Sequence, residues 1–391
     1  MILTTKQEEG LREAVERYRR GEKYTVISGY AGSGKSTLVR FIVAALNIPE
    51  EKIAYVAYTG KAAKVLAQKG CPNATTAHKL LYYAKPMPNG GYKFTPKPTI
   101  EYPVVIVDEV SMLPRSMWEL LLRHPAYIIA CGDPGQLPPV DKTEANDVLA
   151  RPHVFLDEIM RQAQESEIIR LSMHVREGRP LSTFENAGEQ VKVIRKSDLV
   201  EGMYRWADQI LCATNRTRID INNLVRKMRG YGPEPCTEDK IISLRNHWDL
   251  LSSAKAPLTN GSIGTLSKFI HADMIFPPRL FIPPVDCLLS EMTTEDGDTF
   301  TGLYIDYKAL ITGEKTLTPQ LEYKVVKAKD GPEPPLEFAY AYAITTWKAQ
   351  GSEWDKVLGF EESFPFDREE HKKFLYTMVT RAKEKLVIVQ K

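Results

Sequence analysis

Gly29-Tyr30-Ala31-Gly32-Ser33-Gly34-Lys35-Ser36 follows the apolar run Tyr24–Ile27. Strand, glycine-rich turn and Gly-Lys-Ser in this order spell a phosphate-cradling P-loop. Glycines let backbone N–H groups close around the α- and β-phosphates, a lysine reaches the β/γ oxygens, and a hydroxyl is offered to Mg²⁺. Lys35 and Ser36 are therefore expected to be the phosphate and metal groups, with Gly32, Ser33, Gly34 and Thr37 completing the cradle. The plain alternative, a glycine turn before an ordinary helix, weakens if a carboxylate ends a second strand. One does. Val104-Val105-Ile106-Val107 is a continuous β-branched run, as a strand buried on both faces requires, and it ends in Asp108-Glu109. Asp108 is expected to hold Mg²⁺, directly or through water, and Glu109 to take a proton from an attacking water. Alone, such a pair would be a solvated turn; after a P-loop it reads as the second half of a nucleoside triphosphate site.

Bulk properties narrow the class. A chain of 391 residues fits two or three domains, and 43% hydrophobic with 26% charged residues is a globular composition. No apolar run approaches the ~20 residues needed to span a bilayer, and the start of the chain, with Lys6, Glu8, Glu9 and Arg12, carries no signal-peptide core. Cys71, Cys131, Cys212, Cys236 and Cys287 are scattered, with no C-x-x-C pair. They suit a reducing compartment, the cytoplasm or a host's cytoplasm if the source is viral, and argue against a cysteine metal site. A net charge of +2 says nothing about nucleic acid, so any polyanion site must be local.

To about residue 150 strands alternate with helices: Tyr24–Ile27, the P-loop helix to about Leu46, Ile53–Ala57, a helix from Lys61, Val104–Val107 and Tyr127–Cys131. That rhythm predicts a parallel sheet. It breaks at 82–103, where Asn89-Gly90-Gly91 between short aromatic segments predicts a β-hairpin projecting from the first domain. A second α/β pattern begins near 151, with strands at Val191–Ile194 and Gln209–Ala213 and helices around Ile168–Arg176 and Asp220–Met228. Residues 240–334, rich in glycine, proline and short β-type pieces such as Gly302–Tyr307, read as a small all-β insertion. The α/β pattern resumes at Phe338–Ile344, Val357–Phe360 and Leu386–Val389. The expected fold class is α/β, with domains 1–150, 151–239 plus 335–391, and the insertion 240–334.

Three further residues fit phosphoryl chemistry. Gln136, in Asp133-Pro134-Gly135-Gln136-Leu137-Pro138-Pro139, can donate and accept at once, as a group touching both γ-phosphate and water must. Arg161 and Arg381 lie in the second α/β region, from which an arginine can neutralise charge on a transferring phosphoryl group. Taken singly, these are a proline-rich loop and two surface arginines.

Taken in order, Gln7, GYAGSGKST (29–37), AYTGKAAKVL (57–66), TTAHKLL (75–81), VIVDEVSML (105–113), GDPGQLPPV (132–140), MRQAQES (160–166), CATNRTR (212–218), ITTWKAQGSEW (344–354) and LYTMVTRAKEKLVIV (375–389) resemble the motifs of superfamily 1B helicases of the RecD/Dda type. The resemblance covers nearly the whole chain. It implies two RecA-like domains with ATP and Mg²⁺ between them, a pin hairpin in the first, a small β-barrel inserted in the second, and 5′→3′ movement on single-stranded DNA. Carried over residue by residue, Gln7 resembles the adenine reader, Lys35 and Ser36 the phosphate and metal ligands, Asp108 and Glu109 the acidic pair, Gln136 the γ-phosphate sensor, and Arg161 and Arg381 the arginine contacts. Thr59, Lys61, Thr76, His78, Asn215, Thr346 and Lys348 fall in motifs that touch the strand in this family.

One departure is clear: Trp347 stands where the family's T-x-H-K-x-Q-G has histidine. It is expected either to stack on a base or to turn inward and pack. The partners implied are single-stranded DNA, duplex junctions and candidate replication or recombination proteins, and no membrane. Two other readings stay open on sequence: an RNA helicase or remodelling ATPase, since backbone tracking need not sense the 2′-OH, and a nucleotide-switched binding module.

Overall fold

β-branched runs build two parallel sheets, and an antiparallel system interrupts the second of them in sequence. The computed structural model describes residues 3–86, 92–139, 142–160, 165–186, 188–295, 297–328, 331–362 and 367–391. In chain order the first strands are β1 (Tyr24–Gly29), β2 (Ile53–Ala57), β3 (Ala74–Thr76), the pair β4 (Tyr82–Pro86) and β5 (Tyr92–Pro96), β6 (Val104–Val107), β7 (Tyr127–Gly132) and β8 (Val154–Leu156). Six of them form one sheet in the order β3-β2-β6-β7-β1-β8. Every pairing in it is parallel. Such a sheet must be covered on both faces, which is why β1, β2, β6 and β7 are apolar almost throughout. The helix Lys35–Leu46 buries Leu38, Val39, Ile42 and Leu46 in a core shared with Ile27, Ile53, Val104 and Ile129. Because β8 pairs with β1, this sheet continues past residue 150.

The remaining strands are β9 (Val191–Arg195), β10 (Gln209–Cys212), β11 (Lys240–Ser243), β12 (His247–Leu251), β13 (Pro257–Leu258), β14 (Ile263–Met274), β15 (Val285–Thr294), β16 (Thr299–Asp306), β17 (Phe338–Tyr340), β18 (Ala343–Thr345), β19 (Trp354–Phe360) and β20 (Ala382–Gln390). The second parallel sheet runs β18-β10-β19-β20-β9. A five-stranded sheet runs β16-β15-β14-β11-β17, with antiparallel pairings, and β12–β13 and β4–β5 are separate two-stranded ribbons. The expected single strand Phe338–Ile344 is in fact two: Phe338–Tyr340 joins the antiparallel sheet and Ala343–Thr345 the parallel one. Uninterrupted hydrophobicity hid that switch, because both ends are equally buried.

Two compact units result. One holds residues 1–81, 96–214 and 344–391, and so both parallel sheets; the other holds 82–95 and 215–343. The β4–β5 segment clusters with the second unit although in sequence it interrupts the first sheet. The expected Asn89-Gly90-Gly91 turn lies outside the described residues. Among the described residues no helix is long and apolar enough to cross a membrane.

The second unit is pinned by a buried ion pair. Asp239, wholly buried, accepts from Arg226 Nε at 2.9 Å and Nη2 at 3.1 Å, from Tyr342 Oη at 2.9 Å and from the Cys236 N–H at 2.7 Å. The guanidinium also lies 4.3 Å over the Tyr340 ring. Removing one partner strands a buried charge, so Arg226→Ala should destabilise this unit by about 3–5 kcal/mol. Urea unfolding would detect the loss, and an unchanged midpoint would refute the clamp.

Candidate nucleotide site and nucleic-acid motifs

The P-loop leaves the tip of β1 and enters the helix Lys35–Leu46 through Gly34, whose φ of 79° is left-handed. A side chain there would be strained, and its Cβ would fall 2.3 Å from Gln7 Nε2. Lys35 Nζ donates to the carbonyls of Gly29 at 2.7 Å and Tyr30 at 3.0 Å, and Ser36 is exposed in the first turn. Gln7 is fully buried. Its Oε1 accepts from the Thr4 N–H at 3.0 Å and its Nε2 donates to the Ser33 carbonyl at 3.3 Å, so both ends of the amide are engaged within the protein. The signal in sequence was Thr4-x-x-Gln7, a capping box at the start of the helix Thr5–Arg19. Here the glutamine braces the P-loop from below.

Asp108 and Glu109 follow β6. The Asp108 N–H is held by the Val56 carbonyl at 2.8 Å, and the Glu109 N–H donates to Asp108 Oδ1 at 3.0 Å. Glu109 itself is left-handed, φ 49°, a conformation that glutamate seldom adopts. Burial pushes the Asp108 carboxyl above its usual range while Lys35 draws it back. Burial pushes Glu109 up to about 7, against the charge of Arg381 and with the help of Asp108 and Glu353.

The second parallel sheet supplies the rest of the cluster. Arg381 is buried, its Nε donating to the Thr377 carbonyl at 3.0 Å, Nη1 to the Ser352 carbonyl at 3.2 Å and Nη2 to Thr380 Oγ1 at 3.1 Å. A Cβ on Gly351 would lie 3.5 Å from Glu109 Oε2 and 3.4 Å from Thr59 Oγ1, which measures how closely the two sheets' loops meet. Tyr376, on the helix Arg368–Val379, is almost completely buried; its hydroxyl accepts from the Ala31 N–H of the P-loop at 2.8 Å and donates to Asp133 Oδ2 at 2.7 Å. Asp133 Oδ1 accepts from the Gly135 N–H at 2.9 Å, and a Cβ on Gly135 would meet the Tyr376 ring at 3.0 Å. Leu137 is held from both sides, its N–H by Thr377 Oγ1 at 2.9 Å and its carbonyl by Gln350 Nε2 at 2.7 Å. Between these anchors Gln136 Oε1 is buried with no hydrogen-bond partner among the described residues. Sequence reading missed Tyr376, Asp133 and Gln350 as members of this cluster. Arg161 lies outside the described residues; the adjoining Met160 N–H is held by the Gly32 carbonyl at 3.1 Å.

The residues expected to touch a nucleic-acid strand are in varied situations. Thr59 Oγ1 accepts from the Ala62 N–H at 3.2 Å and caps the helix Gly60–Gln68. Thr76 is buried and its hydroxyl accepts from the Lys79 N–H at 3.2 Å. Thr346 is fully buried, its hydroxyl donating to the Cys212 carbonyl at 3.3 Å. These three hydroxyls serve the protein's own backbone, which their sequence motifs did not reveal. The Lys61 ammonium sits 4.6 Å over the Trp354 ring, and the His78 ring lies 5.8 Å from that of Tyr58, with burial holding its pKa below the usual value. Lys348 is half-buried. Asn215 opens the helix Asn215–Met228 in the other compact unit and accepts from Arg218 Nε at 3.2 Å. Trp347 is half-buried, its ring tilted 30° to that of Phe374 at 6.2 Å, so it packs on one side and keeps part of its surface accessible.

A family model described as an AAA domain matches residues 3–198, and one described as a UvrD-like helicase C-terminal domain matches residues 340–389. The chain belongs to the AAA-domain family and resembles the superfamily 1B helicases of the RecD/Dda type. Over 389 residues it is 26% identical to the ATP-dependent RecD2 DNA helicase of Deinococcus radiodurans, covering 93% of this chain and 46% of that protein. Over 149 residues it is 31% identical to the ATP-dependent DNA helicase dda of Enterobacteria phage T4, covering 36% of this chain and 34% of the phage protein. The chain thus spans less than half the length of these curated relatives. In fold it is similar to the crystal structure of Pif1 helicase from Bacteroides in complex with ADP-AlF3 and ssDNA, with a TM-score of 0.55 at 17% identity, covering 100% of this chain and 92% of that one.

The Tyr376 hydroxyl predicts a stability effect. Tyr376→Phe leaves the Ala31 N–H and the Asp133 carboxylate each short of a partner, which should cost about 1–3 kcal/mol. Thermal and urea melts measure it; wild-type midpoints would show that the hydroxyl bridge contributes nothing.

Proposed function

We propose that this chain is an ATP-driven 5′→3′ translocase and helicase acting on single-stranded DNA. The observation that supports this most is the convergence of Lys35 and Glu109 from one sheet with Arg381 from the other. A nucleotide there would be gripped by both sheets. Binding and hydrolysis could then change how the sheets sit, which is what movement along a strand needs. Lys35 and the N–H groups of the cradle bind the phosphates, Glu109 takes the proton of the attacking water, Gln136 orients that water, and Arg381 and Arg161 balance charge on the transferring phosphoryl group. Gln136 suits its role because it is held on a tight loop with an acceptor oxygen to spare.

A metal ion fits the remaining donors. Ser36 offers an exposed hydroxyl and Asp108 a carboxylate poorly solvated and close enough to Lys35 to feel its charge. One hydroxyl and one carboxylate are the sparse, hard-oxygen set that Mg²⁺ takes when substrate phosphates complete its shell. When bound, Mg²⁺ would neutralise phosphate charge. Gln7 contributes as the brace of the cradle and, through it, to the adenine end.

Thr59, Lys61, His78, Trp347 and Lys348 form the DNA-facing set, with Thr76 and Thr346 holding their loops in shape, and Asn215 is a separate DNA contact on the other compact unit. The β4–β5 ribbon acts as the pin that splits base pairs, and 240–334 as the barrel inserted in the second RecA-like domain, which begins after β8 and comprises 157–239 with 335–391. DNA junctions, and replication or recombination proteins, are the partners this implies.

Unwinding, nucleotide, melting and strand-binding measurements test the reading. On partial duplexes, unwinding should need ATP and a 5′ tail; Lys35→Ala should abolish it with DNA binding kept, and trimming 86–96 should abolish it with DNA-stimulated hydrolysis kept. Unwinding from 3′ tails only, or stimulation by poly(U) and not poly(dT), would overturn the polarity or the DNA assignment. Glu109→Gln should bind ATP without turnover. Because the folded carboxyl titrates near 7 and an unfolded one near 4.5, ionisation of Glu109 opposes folding increasingly from pH ~4.5 to ~7 and by a constant amount above. The same variant should therefore melt higher than wild type at pH 8, with the difference gone below about pH 4.5. Trp347→Ala should weaken single-strand binding by the ~1–3 kcal/mol typical of base stacking; unchanged binding with an early melt would make Trp347 purely structural.

A further inference from the structure

Arg176, the last residue of the helix Glu167–Arg176, belongs to none of the motifs above. Its guanidinium carbon lies 3.7 Å from the centre of the Tyr30 ring, and Tyr30 is the second residue of the P-loop. The ring is fixed by edge contacts with Phe155 at 5.6 Å and Tyr376 at 6.5 Å. The Tyr30 carbonyl, at the other end of the same residue, accepts from Lys35 Nζ at 3.0 Å. Two cations therefore bracket one P-loop residue. Among the described residues Arg176 has no ion pair, and its Nη1 is buried with no hydrogen-bond partner. A buried guanidinium N–H left without a partner is unfavourable, and an anion would satisfy it.

We propose that Arg176 is a fourth basic contact to the nucleotide, beside Lys35, Arg161 and Arg381, reaching the terminal phosphate of the triphosphate while Tyr30 serves as the platform that holds it. The terminal phosphate is favoured over the inner ones because Lys35, which serves the β/γ oxygens, touches Tyr30, and because Tyr376, one ring away, is on the helix that leads to Arg381. This rests on the nucleotide-site reading above and adds a residue from the part of the chain that follows the first sheet. Arginine suits the position better than lysine, since a flat guanidinium can stack on the ring and still aim N–H groups at an oxyanion.

The test compares fluorescent ATPγS with fluorescent ADP on the full chain, for wild type, Arg176→Ala, Arg176→Gln, Arg176→Lys and Tyr30→Leu. A charge-assisted hydrogen bond of about 1.5–3 kcal/mol corresponds to roughly 10–150-fold in affinity. Arg176→Ala and Arg176→Gln should lose that much for ATPγS and less than about threefold for ADP, with turnover falling in step. Arg176→Lys should recover part of the loss, and Tyr30→Leu should show a smaller loss with the same preference. If wild type separates the two nucleotides and the Arg176 variants separate them equally well, the proposal is overturned while the nucleotide site stands. Equal losses for both nucleotides with an early melt would make Arg176 structural and also overturn it. Failure of wild type to bind either nucleotide would overturn the nucleotide-site reading itself.

Discussion

The hydroxyl of Tyr376 is the constraint on which the candidate site depends. One oxygen accepts from the P-loop backbone and donates to Asp133, and it comes from a helix of the second parallel sheet. Asp133 is buried and cannot turn to water as a substitute, so the three groups hold one another in place. Gly135 is small because this ring lies against it, and Thr377, the next residue, holds the Leu137 N–H on the far side of Gln136. The Gln136 end of the candidate site is thus shaped by contacts between the sheets, not within either one.

Charge is arranged on the same principle. Glu109 is raised toward neutrality by burial and restrained by Arg381 across the sheet boundary, while Lys35 restrains Asp108 within the first sheet. A carboxyl poised near 7 is suited to accept a proton at neutral pH, and its environment opposes folding when it ionises. Such trade-offs concentrate where chemistry occurs. The left-handed backbone of Glu109 fits the same pattern, since it aims the side chain at the cost of local strain.

The threonines show that a motif does not disclose what a hydroxyl is bonded to. Thr59, Thr76 and Thr346 stand in motifs that the family uses at the strand, yet each hydroxyl is bonded to nearby backbone. A hydroxyl is as good a cap as a phosphate donor, and residue type does not distinguish the two. Gln7 is the same case: Thr4-x-x-Gln7 is a capping box, and the amide's remaining donor meets the P-loop.

Local chemistry determined much of this protein from sequence alone. The P-loop, the acidic pair on a β-branched strand and the alternation of strands with helices identify a nucleotide-binding α/β chain, because each needs particular residue types in consecutive positions. β2 and β6 were legible to the residue for that reason. Tertiary structure decided what residues far apart do together. It split the run 338–344 between two sheets, carried the first sheet past residue 150 to β8, and brought Tyr376 to Asp133 and Arg176 to Tyr30. No periodicity or spacing encodes those pairings, since the partners in each of the two contacts are more than a hundred residues apart and meet only when the second sheet's helices pack against the loops of the first.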